Sequence, residues 1–295
     1  MAYSHKPVML REVLEFLNPL PGQKFIDCTL GGAGYTLALA ARVGEQGQVV
    51  AIDLDSLALA NAVEEIENRK FKNIILIQDN FKNLETIISA NFPAGERFDG
   101  LVLDLGLSSA QLDDENRGFS FKGDRPLDMA FGPANGRSTA DIVNYYPLLE
   151  LTRIFREYGE ERRAYQIAKA IVAGRRIKKF KTTAELIALI ESATKPRGHY
   201  RIHPATRVFQ ALRMETNEEL SALSEVLPAA ARILKTGGRL VVVSFHSGED
   251  RIVKRYLKDT PGWKILTKRP AVPAEDETEE NPRARSAKLR AAVKT

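Results

Sequence analysis

Lys24-Phe25-Ile26-Asp27-Cys28-Thr29-Leu30 runs directly into Gly31-Gly32-Ala33-Gly34-Tyr35, and a helical pattern follows over residues 35–43. A short apolar run of this kind is a buried strand. Glycines behind it permit a tight turn and let a ligand approach the backbone, because no Cβ stands in the way. The same alternation repeats downstream. Residues 48–53 (QVVAID) predict a second strand and 57–68 a helix; 74–78 (IILIQ) predict a third strand and 84–90 a short helix; 98–105 (FDGLVLDL) predict a fourth strand. Strands and helices alternating at this spacing make a parallel sheet wound by right-handed crossovers, whose ligands sit beyond the carboxyl ends of the strands.

After Leu105 the rhythm breaks. Residues 106–140 are rich in Gly, Ser, Asp and Pro, as in a long ordered loop, and from 138 to about 192 only helical patterns appear: 139–145, 148–158, 160–176 and 182–192. Thr182 and Glu185 have the spacing of a capping box. A helical stretch at 217–234 leads to a Gly237-Gly238 stop, a strand at 239–245, a helix at 248–258 and two final strands at 263–268 and 286–293. The expected architecture is an α/β, Rossmann-like sheet domain, residues 1–112 and 212–295, interrupted after its fourth strand by an all-helical insertion at 113–211.

A chain of 295 residues exceeds what one core usually absorbs, in keeping with two domains. Its 44% hydrophobic and 27% charged residues exclude a disordered polymer. The net charge of +5 is unevenly placed: residues 113–211 hold 18 Lys and Arg against 12 Asp and Glu, whereas the rest hold 25 against 26. A basic middle segment points to a polyanionic partner, with a solvated helical surface as the plain alternative. Cys28 alone excludes a disulfide framework, and four scattered histidines give no metal-ligand spacing. The first residues lack the apolar core of a secretory signal and no run spans a bilayer, so the expected location is the cytoplasm, with no membrane partner.

The glycine turn admits two cofactor classes, dinucleotides and S-adenosylmethionine. Asp53, about twenty residues past Gly34 and at the end of the second strand, is placed to accept both ribose hydroxyls in either case. The dinucleotide fingerprint would put Leu37 at its third small position, which breaks it. Asp27, within the strand, could face an ammonium group; a pyrophosphate gains nothing from a carboxylate there. Gln78-Asp79-Asn80-Phe81 offers a polar partner and an aromatic face for an adenine. These features favour S-adenosylmethionine. The plain alternatives are a turn shaped by packing, an Asp53 that only caps the next helix, and a Cys28 that is a small buried apolar residue.

Beyond the fourth strand come Asp104-Leu105-Gly106-Leu107-Ser108-Ser109, Gln111-Leu112-Asp113-Asp114 and Arg117-Gly118-Phe119-Ser120-Phe121. With HKPVML (5–10), RPLDMA (125–130), YGEE (158–161), HPATRVFQALR (203–213), NEEL (217–220), SFHSGEDRIVK (244–254) and NPRARS (281–286), they make the chain resemble the MraW family. These are bacterial methyltransferases that modify N4 of a cytidine in the decoding region of 16S ribosomal RNA. The resemblance spans nearly the whole chain and implies a class I S-adenosylmethionine-dependent methyltransferase sheet with a helical insertion. It implies that Ala33, Gly34 and Tyr35 line the methionine end of the cofactor, that Asp53 holds the ribose and Phe81 packs near the adenine, and that Asp104 and Gln111 complete the pocket. The family's turn usually reads Gly-x-Gly-Gly-His-Ser; here Ala33 and Tyr35 depart from it.

Methyl transfer from a sulfonium mainly requires alignment and the exclusion of water. The cytosine amine is a poor nucleophile because its lone pair is delocalised, so an acceptor for its protons helps. The stretch after the fourth strand in amino-directed DNA methyltransferases carries a proline pair and an aromatic; Asp104-Leu105-Gly106-Leu107 has neither. The expected acceptor is Asp104 or the carbonyl beside it, with a purely cofactor-facing Asp104 as the alternative. Ser108 or Ser109 would hold the base edge. Phe119 or Phe121 would either stack on the base or anchor the loop in the insert's core. Arg175-Arg176-Ile177-Lys178-Lys179-Phe180-Lys181 puts five cations in seven residues, suited to phosphate contacts, and Arg283, Arg285 and Arg290 could add to the field. His246 could handle a proton or shape its turn, and His203 reads as an interdomain anchor. The implied partner is 16S rRNA within the small ribosomal subunit, and a homodimer stays open. Two other classes compete: an RNA-binding ribosome-assembly factor with weak or lost catalysis, and an NAD-dependent oxidoreductase, which Leu37 opposes.

Overall fold

The computed structural model describes residues 7–107, 117–119, 123–132, 138–194 and 203–295. Seven strands form one sheet in the order β3-β2-β1-β4-β5-β7-β6. They are β1 (Lys24–Asp27), β2 (Gln48–Asp53), β3 (Ile74–Gln78), β4 (Phe98–Asp104), β5 (Leu234–Ser244), β6 (Trp263–Ile265) and β7 (Lys288–Lys294). The first five are parallel, and β7 runs antiparallel between β5 and β6. β1 and β4 are neighbours although two other strands separate them in sequence, so the winding reverses between them. That reversal opens a crevice beyond their carboxyl ends.

Alternation along each strand divides the core into two layers. Ile26, Cys28, Leu101 and Leu103 face α4 (Leu84–Asn91), α10 (Glu219–Ile233) and α11 (Ser247–Asp259). Phe25, Val102 and Val241 face α1 (Leu10–Leu17) and α2 (Gly34–Val43). Gly100 is needed for this packing, since a Cβ there would lie 2.4 Å from the Phe25 ring. A third apolar group, Leu30, Ala33, Leu37, Ala51 and Ala62, includes a residue of α3 (Ser56–Arg69).

The chain divides into two compact units: residues 1–108 with 220–295, and residues 109–219. In the second, the described residues form α5 (Thr139–Tyr145), α6 (Leu148–Glu157), α7 (Ala164–Ile177), α8 (Thr183–Thr194) and α9 (Thr206–Thr216), and no strand. Asn144 ties α5 to the loop before α8, donating to Phe180 O at 2.7 Å and accepting from Phe180 N at 3.0 Å. The Thr182–Glu185 capping box is present, with Glu185 Oε2 accepting from Thr182 N at 3.3 Å and Thr182 Oγ1 from Glu185 N at 3.5 Å.

Among the described residues, three helices escape the periodic reading: α1, α9 and α12 (Glu275–Glu280). α9 lies inside the HPATRVFQALR block. It stops at Asn217, and α10 starts only at Glu219, after Glu218 takes φ 52°. Asn217 is therefore a junction and not a helix start. It accepts from Phe131 N and donates to Met129 O, both at 2.8 Å, which fixes the loop carrying the RPLDMA block. Gly237-Gly238 does not stop α10 either. The pair lies inside β5, where the register against β4 shifts between Phe98 and Gly100, and Gly237 takes φ 83°.

Candidate active site

Carboxylates end three of the parallel strands at the crevice: Asp27 on β1, Asp53 on β2 and Asp104 on β4. Asp27 is fully buried. Its Oδ1 accepts from Thr29 N at 3.1 Å and its Oδ2 from the Thr36 hydroxyl at 2.7 Å. Burial pushes its carboxyl up to about 6 against the Thr36 and Thr29 hydrogen bonds. Both oxygens thus have partners within the chain, and Asp27 braces the start of α2 from beneath the turn.

Asp53 does not cap α3; Asp55 does, accepting from Leu57 N at 3.0 Å. The Asp53 oxygens instead accept from Gly31 N at 2.8 Å and Asp55 N at 2.9 Å. A carboxylate offers about four acceptor sites, so Asp53 keeps acceptor capacity for a ligand hydroxyl beside these backbone donors. Burial raises its pKa.

Asp104 is held by its backbone, whose N–H donates to Thr29 Oγ1 at 2.7 Å. Its Oδ1 is buried with no hydrogen-bond partner among the described residues. Burial, followed by the nearby Asp27 and Glu249, pushes its pKa well above the carboxylate range. An unsatisfied buried acceptor costs free energy, so one retained at a strand end in the crevice is a mark of function.

The glycine turn leads into α2. Gly31 and Ala33 take φ 48° and 61°, and the N–H groups of the helix's first turn have no intrahelical acceptor. Such a terminus suits a carboxylate. The two departures from the family pattern both point inward. The Ala33 methyl is buried with Leu30 and Leu37, so it adds no bulk at the ligand side. The Tyr35 ring packs in the layer beneath α1 and α2, and its hydroxyl donates to Val8 O. The side chain of Tyr35 thus belongs to the core, and what it can offer a ligand is its backbone N–H.

Phe81 opens the one-turn helix Phe81–Asn83 just past β3, half-buried against the core. Asp79, before it, accepts from Asn80 N and the Asn83 amide. Ser108, Ser109, Gln111 and Phe121 lie outside the described residues. Phe119 is buried, its ring centroid 5.8 Å from that of Phe131, which makes it a loop anchor. His246 caps α11: its Nδ1 accepts from Gly248 N at 3.0 Å, and Glu249 accepts from His246 N. His203 accepts from Ala205 N and lies 3.2 Å from Glu191, contacts that tie the start of α9 to α8.

The basic cluster is only partly available to a ligand. Arg175 donates to Val143 O at 2.9 Å and Lys178 pairs with Glu185 at 2.6 Å. Lys179 donates to Asn144 O and sits 4.3 Å from the centre of the Tyr145 ring. Arg176 and Lys181 are exposed. Arg290 adds nothing to a surface field: it is buried in a two-point pair with Asp250, at 2.6 and 3.2 Å. The sequence reading misses Tyr145 and Ile177, 67% and 91% exposed beside these cations. Ile177 is an apolar residue inside the cation run, which is the one signal that could have found it.

The model of the MraW methylase family matches residues 2–295. The chain belongs to that family. Ribosomal RNA small subunit methyltransferase H of Carboxydothermus hydrogenoformans is 44% identical, covering 100% of this chain and 99% of that one. The protein of the same name from Gloeothece citriformis is 43% identical over 99% and 94% of the two chains. A solved candidate rRNA-methylase from Clostridium thermocellum, 14% identical, superposes with a TM-score of 0.50 over 99% of this chain and 100% of its own, a likeness of fold. As an MraW methylase the chain is a methyltransferase on a Rossmann-like sheet, and S-adenosylmethionine is its methyl donor. The open N-terminus of α2, the spare acceptor sites of Asp53 and the orphan oxygen of Asp104 fit that donor's carboxylate, ribose and reacting end. Among the described residues no His, Cys, Asp and Glu group could hold a metal, and no helix is long and apolar enough to cross a membrane.

Proposed function

We propose that this methyltransferase modifies N4 of a cytidine in the decoding region of 16S rRNA, in the small ribosomal subunit, with the helical insertion as the RNA-recognition element. The observation that carries the reading is the buried, unpartnered Oδ1 of Asp104 at the β1/β4 crevice. An exocyclic amine brings hydrogens that such an oxygen lacks.

When bound, S-adenosylmethionine supplies a methyl group on a sulfonium, with a neutral thioether as leaving group. The N–H groups of Gly34 and Tyr35 would hold its carboxylate, Asp53 its ribose and Phe81 the face of its adenine, with Gln111 closing the pocket. Asp104 accepts an amine hydrogen, which localises the nitrogen lone pair for attack. Ser108 holds the base edge. In the insertion, Arg176 and Lys181 meet phosphates, and the exposed Tyr145 and Ile177 give apolar contact to unpaired bases.

Mass mapping of methylated nucleosides in small-subunit RNA tests the reading. A deletion strain lacks one N4-methylated cytidine; the wild-type gene restores it, and Asp104→Ala does not. A full complement of modifications in the deletion strain would refute the reading. Restoration by Asp104→Ala would refute the role of that carboxyl.

A further inference from the structure

One face of α11 is apolar and the opposite face is cationic. Val253 and Leu257 are buried in the sheet core, and Ile252 and Tyr256 pack against it, the Tyr256 ring centroid 6.4 Å from that of Trp263. Arg251, Lys254, Arg255 and Lys258 are all exposed. At 3.6 residues per turn these four fall within about 100° of arc and span about 10 Å of helix axis.

The acids of α11 do not offset them. Glu249 is buried and accepts from Phe245 N and His246 N, and Asp250 is taken by its two-point pair with Arg290. Asp259, the last residue of the helix, is the remaining acid. Among the described residues none of the four cations has a hydrogen bond or an ion pair. Arg175, Lys178 and Lys179 of the insertion, by contrast, are each engaged within the chain.

Four like charges so placed work against the helix that carries them. Arg251 with Arg255 and Lys254 with Lys258 are four apart, Arg251 with Lys254 and Arg255 with Lys258 three apart, and like charges at those spacings repel. A face needed only for solubility mixes the two signs. A run of one sign raises a local positive potential, which a polyanion with closely spaced charges relieves, and a nucleic-acid backbone is such a polyanion. The position suits that use. α11 follows β5, whose Val243 is the register partner of Asp104 on β4, so the stripe begins about one turn from the rim where the crevice opens.

We propose that the Arg251–Lys258 face of α11 is a phosphate-binding track for RNA on the sheet unit, holding the backbone that flanks the nucleotide at the crevice. This rests on the substrate being small-subunit RNA, and it adds a second contact surface to that of the insertion.

Neutralising the stripe in the full-length protein tests the track. Gln matches Lys and Arg in helix propensity, so Arg251→Gln, Lys254→Gln, Arg255→Gln and Lys258→Gln together keep the helix and melt no lower than wild type. Binding to small ribosomal subunits should weaken at least about tenfold at roughly 50 mM salt, and the slope of log K against log salt should become shallower by about three units. The S-adenosylmethionine dissociation constant stays within about twofold, because no residue of the stripe belongs to the cofactor pocket. Lys254→Arg with Lys258→Arg keeps the charge and the affinity. Arg42→Gln, Lys70→Gln and Lys72→Gln together remove exposed cations that precede β2 and β3, at the far end of the sheet, and should leave the affinity close to wild type. Unchanged binding and slope in the stripe variant, or an equal loss in the far-end variant, overturns the proposal while wild-type methylation leaves the functional reading standing. A wild-type enzyme that binds subunits without N4-methylating a cytidine overturns that reading, and the binding comparison still decides the track.

Discussion

Asp104 at the end of β4 and Lys179 in the helical insertion both look, in the sequence, like charged groups available to a ligand. Asp104 keeps a buried oxygen with no partner among the described residues; Lys179 is engaged with the Asn144 carbonyl and the Tyr145 ring. The contrast extends to their surroundings. At the sheet rim, strands end side by side, so Asp27 and Asp104 share a desolvated space in which the neighbouring charges are other carboxyls, Asp53 and Glu249. In the insertion, helices end near one another, and their unsatisfied carbonyls recruit cations: Arg175 to Val143 and Lys179 to Asn144. The rim carboxyls of the sheet unit are held at a desolvation cost, whereas Arg175 and Lys179 of the helical unit close the end of α5.

The largest expected effect tests the first half of that contrast. Asp27 is raised from 3.8 to about 6 by burial, so the folded state binds its proton more tightly than the unfolded chain does. Its contribution to stability is most favourable below pH 4 and is lost as pH rises to 6, by up to about 3 kcal/mol for a shift of that size. Asp27→Asn cannot ionise. Urea unfolding at pH 4 and pH 7 should show the variant gaining on wild type as pH rises, and a stability difference that does not change with pH would mean that the rim carboxyl is not held at a cost.

How much of the molecule is legible in its sequence follows the same line. The apolar runs place β2 and β3 to the residue, β4 within one residue and β1 correctly at its start but three residues too long at its end, because strands inside a parallel sheet are covered on both faces and read as short apolar runs. Asp53 and Asp104 can be picked out because strand ends are fixed by that pattern. The inward turn of Tyr35 cannot, since a residue at a helix start faces core or ligand according to the helix's rotation, which tertiary packing sets. Nor can the engagement of Arg175, Lys179 and Arg290, whose partners Val143, Asn144 and Asp250 lie 32, 35 and 40 positions away. α9 and α12 escape the pattern for different reasons: one is embedded in a block read for its motif, and the other is a short acidic helix without a buried residue.

A middle-sized effect separates the two kinds of cation in the insertion. Reversing Arg176 and Lys181 together should raise the KM for small-subunit RNA about tenfold and make its salt dependence shallower by about one unit for each phosphate no longer neutralised. Arg175→Glu removes a cation from the end of α5 and should act chiefly through a lowered melting temperature. Equal effects on KM and on melting for both variants would erase the distinction between ligand-facing and helix-closing charge.

The smallest effect concerns the capping box, the one feature of the insertion whose atomic contacts the sequence anticipates. Thr182 accepts from Glu185 N at the long distance of 3.5 Å, so Thr182→Ala should cost about 0.5 kcal/mol, the low end for removal of a cap. Glu185 does more: its Oε2 accepts from Lys181 N at 2.8 Å and from Thr182 N at 3.3 Å, and its Oε1 holds Lys178 at 2.6 Å. Glu185→Ala should therefore lower the melting temperature further than Thr182→Ala, and Lys178→Ala should change neither stability nor RNA KM by much, being an exposed pair. A Lys178→Ala variant that raised KM as much as reversal of Arg176 and Lys181 would put Lys178 on RNA, and the paired cations of the insertion would then have to be counted with the ligand-facing ones.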